Sequence, residues 1–144
     1  MGTQVKIRNA LQAVLVPWAT SKSLKVAWEN RAFEPTASYM RARLFPSPTQ
    51  DPSIGARHQR YLGIFRISFC ANLTEAAYSN KGAEVIESMA EEIVALYKRG
   101  NKLVKDDVVV SIEYTPSQSS ITYDGCYAIV DVEVIYRSDI ITTT

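Results

Sequence analysis

His58 is the chain's only histidine and so its natural candidate for acid–base work near neutral pH, flanked by Arg57 and Arg60 in a proline-rich stretch. A serine or cysteine nucleophile would need it as the base, and such a loop is a poor support for holding an imidazole within hydrogen-bond reach. A metal site would need further nitrogen or sulfur ligands at fixed spacing, and none accompanies it. His58 therefore reads as a solvated loop residue. The two cysteines, Cys70 and Cys126, form no Cys-x-x-Cys pair and read as buried free thiols. Asp106, Asp107, Glu113, Asp131 and Glu133 could be imagined as paired acids. The first two fall at a turn, and Asp131 and Glu133 alternate with apolar residues, which reads as solvation or pairing across an interface. Glycines at positions 2, 55, 63, 82, 100 and 125 are too scattered to cradle a phosphate. The expectation is no catalytic residue, no metal ligand, no cofactor and no enzyme.

One constellation stands above that background. Arg41, Arg43, Arg57, His58, Arg60 and Arg66 interleave with Tyr39, Phe45, Tyr61 and Phe65. Cations with aromatics can track a phosphate backbone and stack bases, or they can anchor a protein interface. The formal net charge is only +1, and no nucleic-acid module is visible, so protein contact is the favoured reading. The charge is unevenly spread. Residues 1–37 carry five basic and two acidic side chains, residues 38–66 five arginines (with His58 neutral) and one aspartate, and residues 67–144 six basic and twelve acidic. Such a chain suits a subunit whose basic face meets the acidic face of a neighbour.

The elements that must position these residues follow from periodicity. Ile7, Leu11, Val14 and Leu15 share one helix face, and Pro17 is expected to close that helix near Val16. Leu24, Val26 and Trp28 alternate as a short strand. In "SYMRARLF", Ser38, Met40, Ala42 and Leu44 share one face while Tyr39, Arg41, Arg43 and Phe45 share the other. Residues 46–59 read as a long loop, since their prolines, glycine and serines prevent regular structure. "RYLGIFRISFCAN" reads as a central strand covered on both sides. Over residues 82–99 an apolar stripe that includes Met89 and Ile93 predicts a helix with glutamates outside it, Lys98 and Arg99 complementing its dipole and Gly100 stopping it. "DDVVVSIEYTP" and "CYAIVDVEVIYR" read as a hairpin of two strands, and residues 138–144 as an extended C-terminal segment. With 144 residues, no apolar run approaching the ~20 needed to cross a bilayer, and strands in runs, the expectation is a single α+β domain over 1–144. It would hold a mixed or antiparallel sheet of four to five strands with two main helices packed against it.

The row "KVAWENRAFEP", "YMRARLFPS", polar loop and "QRYLGIFRISFCA" resembles tailed-phage minor tail proteins related to the tail terminator of lambda-like phages. The residues that carry the resemblance are Val26, Ala27, Trp28, Asn30, Phe33, Pro35, Tyr39, Arg41, Leu44, Arg60, Gly63, Ile64 and Phe65. The element order, a leading helix and one long helix before the last two strands, is also similar over nearly the whole chain. The resemblance implies a virion protein of the tail or neck, assembled in the host cytoplasm. It implies a homo-hexameric ring that caps the head-proximal end of the tail tube, stops polymerisation and meets the head-tail connector protein, with DNA only passing through the lumen and no membrane contact. In that setting Trp28, Phe33 and Phe65 are expected to pack the sheet. Arg41, Arg43, Arg57, His58, Arg60 and Arg66 are expected to contact adjacent subunits or the tail tube protein. The alternatives are a neck or tail-completion protein that binds the connector, and a small nucleic-acid-binding protein.

Overall fold

A computed structural model describes residues 2–29, 37–51, 58–79, 82–105 and 107–141. Phe33, Arg57, Asn30 and Pro35, together with residues 52–57 of the expected loop and 142–144 of the tail, lie outside the described residues. Helix α1 (Thr3–Ser21) leads to strands β1 (Lys25–Ala27), β2 (Tyr39–Pro46) and β3 (His58–Asn72). Helix α2 (Ala83–Leu96) and strands β4 (Lys102–Lys105), β5 (Val108–Ile112), β6 (Ser117–Gln118), β7 (Thr122–Asp124) and β8 (Tyr127–Ile141) follow. The strands form one sheet in the order β1-β2-β3-β8-β5-β4, with β6 and β7 also paired to β8. All pairings are antiparallel except that of β1 with β2.

The α+β class is as the sequence implies, but the sheet has eight strands rather than four to five. The surplus is short: β4, β6 and β7 have four, two and three residues, too few for alternation to register as a period. The expected hairpin is more elaborate for the same reason. β3 pairs with one edge of β8 along its whole length, from His58↔Ile141 to Asn72↔Tyr127, so the other edge is left to β5, β6 and β7 in succession. Residues 138–141, expected in an extended tail, continue β8 opposite the start of β3.

Cross-strand partners share a face, and the register collects the core on one side. Met40, Ala42 and Leu44 stand beside Phe69, Ile67 and Phe65, which stand beside Val130, Val132 and Val134. All nine are buried, and Ile7, Leu11 and Leu15 of α1 with Ile86, Ala90 and Ile93 of α2 close over them. Phe65 and Ile93 are thus core residues as expected. Met89 is half-buried at the margin, and so is Trp28, which packs against the core without being enclosed by it.

Pro17 does not end α1. The helix runs on to Ser21 with the proline inside it. Pro17 lacks the N–H that would reach the Ala13 carbonyl, but Ala13, Val16 and Pro17 are all exposed, so water can satisfy that carbonyl. Ala19, buried one turn beyond Leu15, keeps the last turn on the core. At the end of α2 the helix stops at Leu96, and Lys98 and Arg99 fall beyond its last turn. Tyr97 leaves the helix to bury its ring, and its hydroxyl donates to the Leu11 carbonyl of α1 at 2.7 Å. Burial pushes that phenol well above its usual range.

Candidate interaction face

The sheet has a second face, which neither of the described helices covers. Alternation along β2, β3 and β8 places there Tyr39, Arg41, Arg43 and Phe45; Cys70, Ser68, Arg66 and Ile64; and Ile129, Asp131, Glu133 and Ile135. The rows are chemically distinct. Arg41, Ser68 and Asp131 lie side by side, then Arg43, Arg66 and Glu133, then Phe45, Ile64 and Ile135. This is the cationic and aromatic face anticipated for β2. On β3 the same face is only partly buried, so the expectation of a strand covered on both sides holds for its second half, Ile67–Asn72, and fails over Leu62, Ile64 and Arg66.

The expected arginine constellation divides into two groups. Arg60 and His58 sit at the start of β3, where Arg60 Nε donates to Asp139 Oδ1 at 2.9 Å and His58 Nε2 lies at 2.9 Å from the same oxygen. Arg137 Nε approaches Asp139 Oδ2 at 3.2 Å and Glu113 Oε1 at 2.8 Å. His58 is therefore tied to a strand end rather than free in a loop. The start of the expected loop is also tied to β3, because Gln50 and Arg60 exchange backbone hydrogen bonds of 2.9 and 2.7 Å.

Arg41, Arg43 and Arg66 form the second group, around a cleft of about 350 Å³ walled by Trp28 and Phe45. Arg43 and Arg66 hold their guanidinium groups 4.9 and 4.8 Å from the Phe45 ring centre, a cation–π arrangement on both. Arg66 Nη2 also donates to Glu133 Oε2 at 3.2 Å, and the Ser68 hydroxyl donates to Asp131. Asp131 and Glu133 are thus paired within the sheet. At the cleft's edge Glu29 Oε1 accepts from Arg8 Nη1 at 2.8 Å and from the Leu44 backbone N–H at 2.6 Å, tying α1, the chain after β1 and β2 together.

Among the described residues no group of three or more His, Cys, Asp or Glu could hold a metal. Cys70 lies under Tyr39, where burial raises its thiol's pKa and keeps it from the reactive thiolate form. Burial, with Cys70 adding to it, pushes Tyr39 up to about 12. Cys126 is exposed, which corrects its expected burial: it follows Gly125 in the turn between β7 and β8.

Sequence reasoning missed Glu29, Asp139 and Arg137, and named Glu113 without its partner Arg137. The only available signal was parity, since Arg137 and Asp139 continue the alternation of Asp131 and Glu133 along β8. Two of these acids have an acid-linked consequence. Burial alone would raise the pKa of Glu29, but the Leu44 N–H and the Arg8 guanidinium outweigh it and hold it low. At Asp139 burial is likewise outweighed by the hydrogen bonds from Arg60 and His58. A carboxyl whose folded pKa lies below its unfolded value contributes stability above the unfolded value, about 4, and loses it as pH falls through the folded one. The difference in urea midpoint between the wild type and a Glu29→Gln/Asp139→Asn double variant is therefore expected to be large at neutral pH and to narrow below about pH 4. A gap that stays constant across that window would show that the two carboxylates are not the acid-sensitive ties.

The family profile described as Phage tail terminator protein matches residues 6–136. No curated protein matches the chain. Among the solved structures that are similar, one has a TM-score of 0.77, with 24% identity over 96% of this chain and 96% of that one, a likeness that speaks to the fold alone.

Proposed function

Because this chain belongs to the phage tail terminator family, a structural family of the bacteriophage tail, we propose that it assembles as a ring of six copies on the head-proximal end of the tail tube. There it ends tube polymerisation and offers the surface that the head's connector joins. Its partners in this reading are copies of itself, the tail tube protein and the connector protein, and DNA only passes through the lumen. The observation that supports it is the helix-free face of the sheet. A subunit working alone would leave that face, with its aromatic cleft, to water, whereas a ring subunit has neighbours on more than one side. A binding role needs no reacting group, which agrees with a face whose charged residues serve as pairs and cation–π contacts. Among the described residues no helix is long and apolar enough to cross a membrane.

The second reading, a nucleic-acid-binding protein, is weakened by the geometry. Arg60 and Arg66 are already engaged by Asp139 and Glu133, which reduces the cationic surface open to phosphates. The test is electron microscopy of particles made when the gene is stopped early. Headless tails of uncontrolled length beside filled heads are the expected result. Tails of normal length that fail to join heads would move the protein to a connector role, and intact infectious particles would remove it from the neck.

A further inference from the structure

Building on the ring reading, we propose that successive copies meet head to tail through one specific contact. The exposed glutamate ridge of α2 on one copy, Glu84, Glu87 and Glu91, seats in the Arg41–Arg43 cleft on the helix-free sheet face of the next.

Three arginines line the cleft against two carboxylates, Glu29 and Asp131, which already accept from Arg8 and the Leu44 N–H and from Ser68, so its net character is cationic. Arg41 and Arg43 are exposed, and among the described residues neither forms an ion pair. Arg66, beside them, has its Nε buried without a hydrogen-bond partner. Arginine on an aromatic wall, weakly hydrated and ready to bind a carboxylate in bidentate fashion, is the usual anchor of a protein interface.

The acid that could match it is carried on the opposite layer of the same molecule. Seven of the twelve carboxylates of the C-terminal half are taken up internally: Asp131 by Ser68, Glu133 by Arg66, Asp139 by Arg60, Glu113 by Arg137, Asp107 by Lys6, Glu92 by Lys22 and Glu75 by the Ser38 N–H. Glu84, Glu87 and Glu91 are exposed and have no such partner among the described residues. Their spacing of three and four residues puts them in one stripe about 10 Å long, pointing away from the buried Ile86, Ala90 and Ile93. Ser88 and Ala95 beside the stripe are small and exposed, so the ridge can approach a concave surface closely. On the receiving side Arg41 and Arg43 are two residues apart on one strand, about 7 Å, a span that two glutamates four residues apart on a helix, about 6 Å, can meet together.

Because ridge and cleft lie on opposite layers, the contact is heterologous. Each copy offers one surface of each kind, so the contact propagates and closes into a ring when the rotation between copies permits.

The test uses two full-length variants, Glu84→Lys/Glu87→Lys/Glu91→Lys and Arg41→Glu/Arg43→Glu, supplied to phage whose own gene is stopped. Each variant carries like charges on both surfaces. Like-charge juxtaposition at a close contact weakens association steeply, so the yield of joined particles is expected to fall by about 100-fold or more with either variant alone. Supplied together the two are complementary at every junction, and yield is expected to recover most of that loss. Thermal melting of each purified variant checks that it folds. Folded variants that complement singly, or a folded pair that fails to restore yield, would overturn the contact while leaving termination itself established by the wild-type gene. DNA affinity lost only in the arginine variant, with no rescue by the pair, would assign the cleft to phosphates instead. If the wild-type gene does not control tail length, the ring reading has failed, separately from the contact.

Discussion

Phe65→Ala is expected to destabilise the protein by ~3–5 kcal/mol, a large part of the margin of a domain whose total is typically ~5–15 kcal/mol. Phe65 has no exposed surface. It sits on the central strand β3 with Leu44 as its neighbour on β2 and Val134 as its neighbour on β8. Above it the Tyr97 ring lies 6.2 Å away, centre to centre. The cavity left by truncation is therefore walled by hydrogen-bonded strands on two sides and by a tyrosine that is itself anchored to the α1 backbone. Walls held in that way collapse poorly, which puts the cost toward the upper part of the range. Urea unfolding with linear extrapolation measures it, and a loss below about 1 kcal/mol would mean that the neighbours refill the space.

Gly63→Ala is the second large effect, and its cause is the reverse. The glycine's backbone is not in the left-handed region, so alanine meets no conformational penalty there and would even stiffen the unfolded chain slightly. The obstacle is space. A Cβ at this position would lie 2.6 Å from the Phe45 carbonyl oxygen and 2.8 Å from Tyr136 Cζ, with the tyrosine hydroxyl closer still. Tyr136 is the cross-strand partner of Gly63 and is fully buried, so its ring lies over the glycine where a side chain would otherwise stand. Burial also pushes its phenol up to about 12. Overpacking of this kind costs ~1–3 kcal/mol, and the upper end is expected because one obstacle is backbone in a paired strand. Adding Tyr136→Phe removes the nearest atom and should recover part of the loss. A Gly63→Ala protein as stable as wild type, by thermal melting, would show that the glycine is not there to admit the ring.

The two positions differ in how they could be read. Phe65 announces itself, because alternation on β3 puts it in phase with Ile67 and Phe69, and a large apolar residue in that phase is core in almost any sheet. Gly63 does not, since the reason for its size is Tyr136, a residue 73 positions away that only the β3–β8 register brings over it. The ion pairs repeat the lesson. Parity along β2 and β8 places Arg41, Arg43, Asp131 and Glu133 on the face opposite the apolar residues, but which carboxylate meets which arginine depends on register. A shift of one residue would have turned every side chain over.

The chain's local patterns therefore determine the helices, the long strands, the apolar phase of each and hence the α+β class with one covered face. They do so because side-chain direction repeats over two or 3.6 residues and can be read within a single segment. Only the tertiary structure decides the remainder. Pro17 stays inside α1 because its freed carbonyl faces water while Ala19 stays on the core. β6 and β7 exist because β8 has a second edge to fill, and their two and three residues carry no period of their own. Arg60 is neutralised by Asp139, 79 positions along, while Arg41 and Arg43 stay exposed. Those outcomes rest on contacts between segments remote in sequence, whose alignment comes from fitting all the strands and both helices around one core at once.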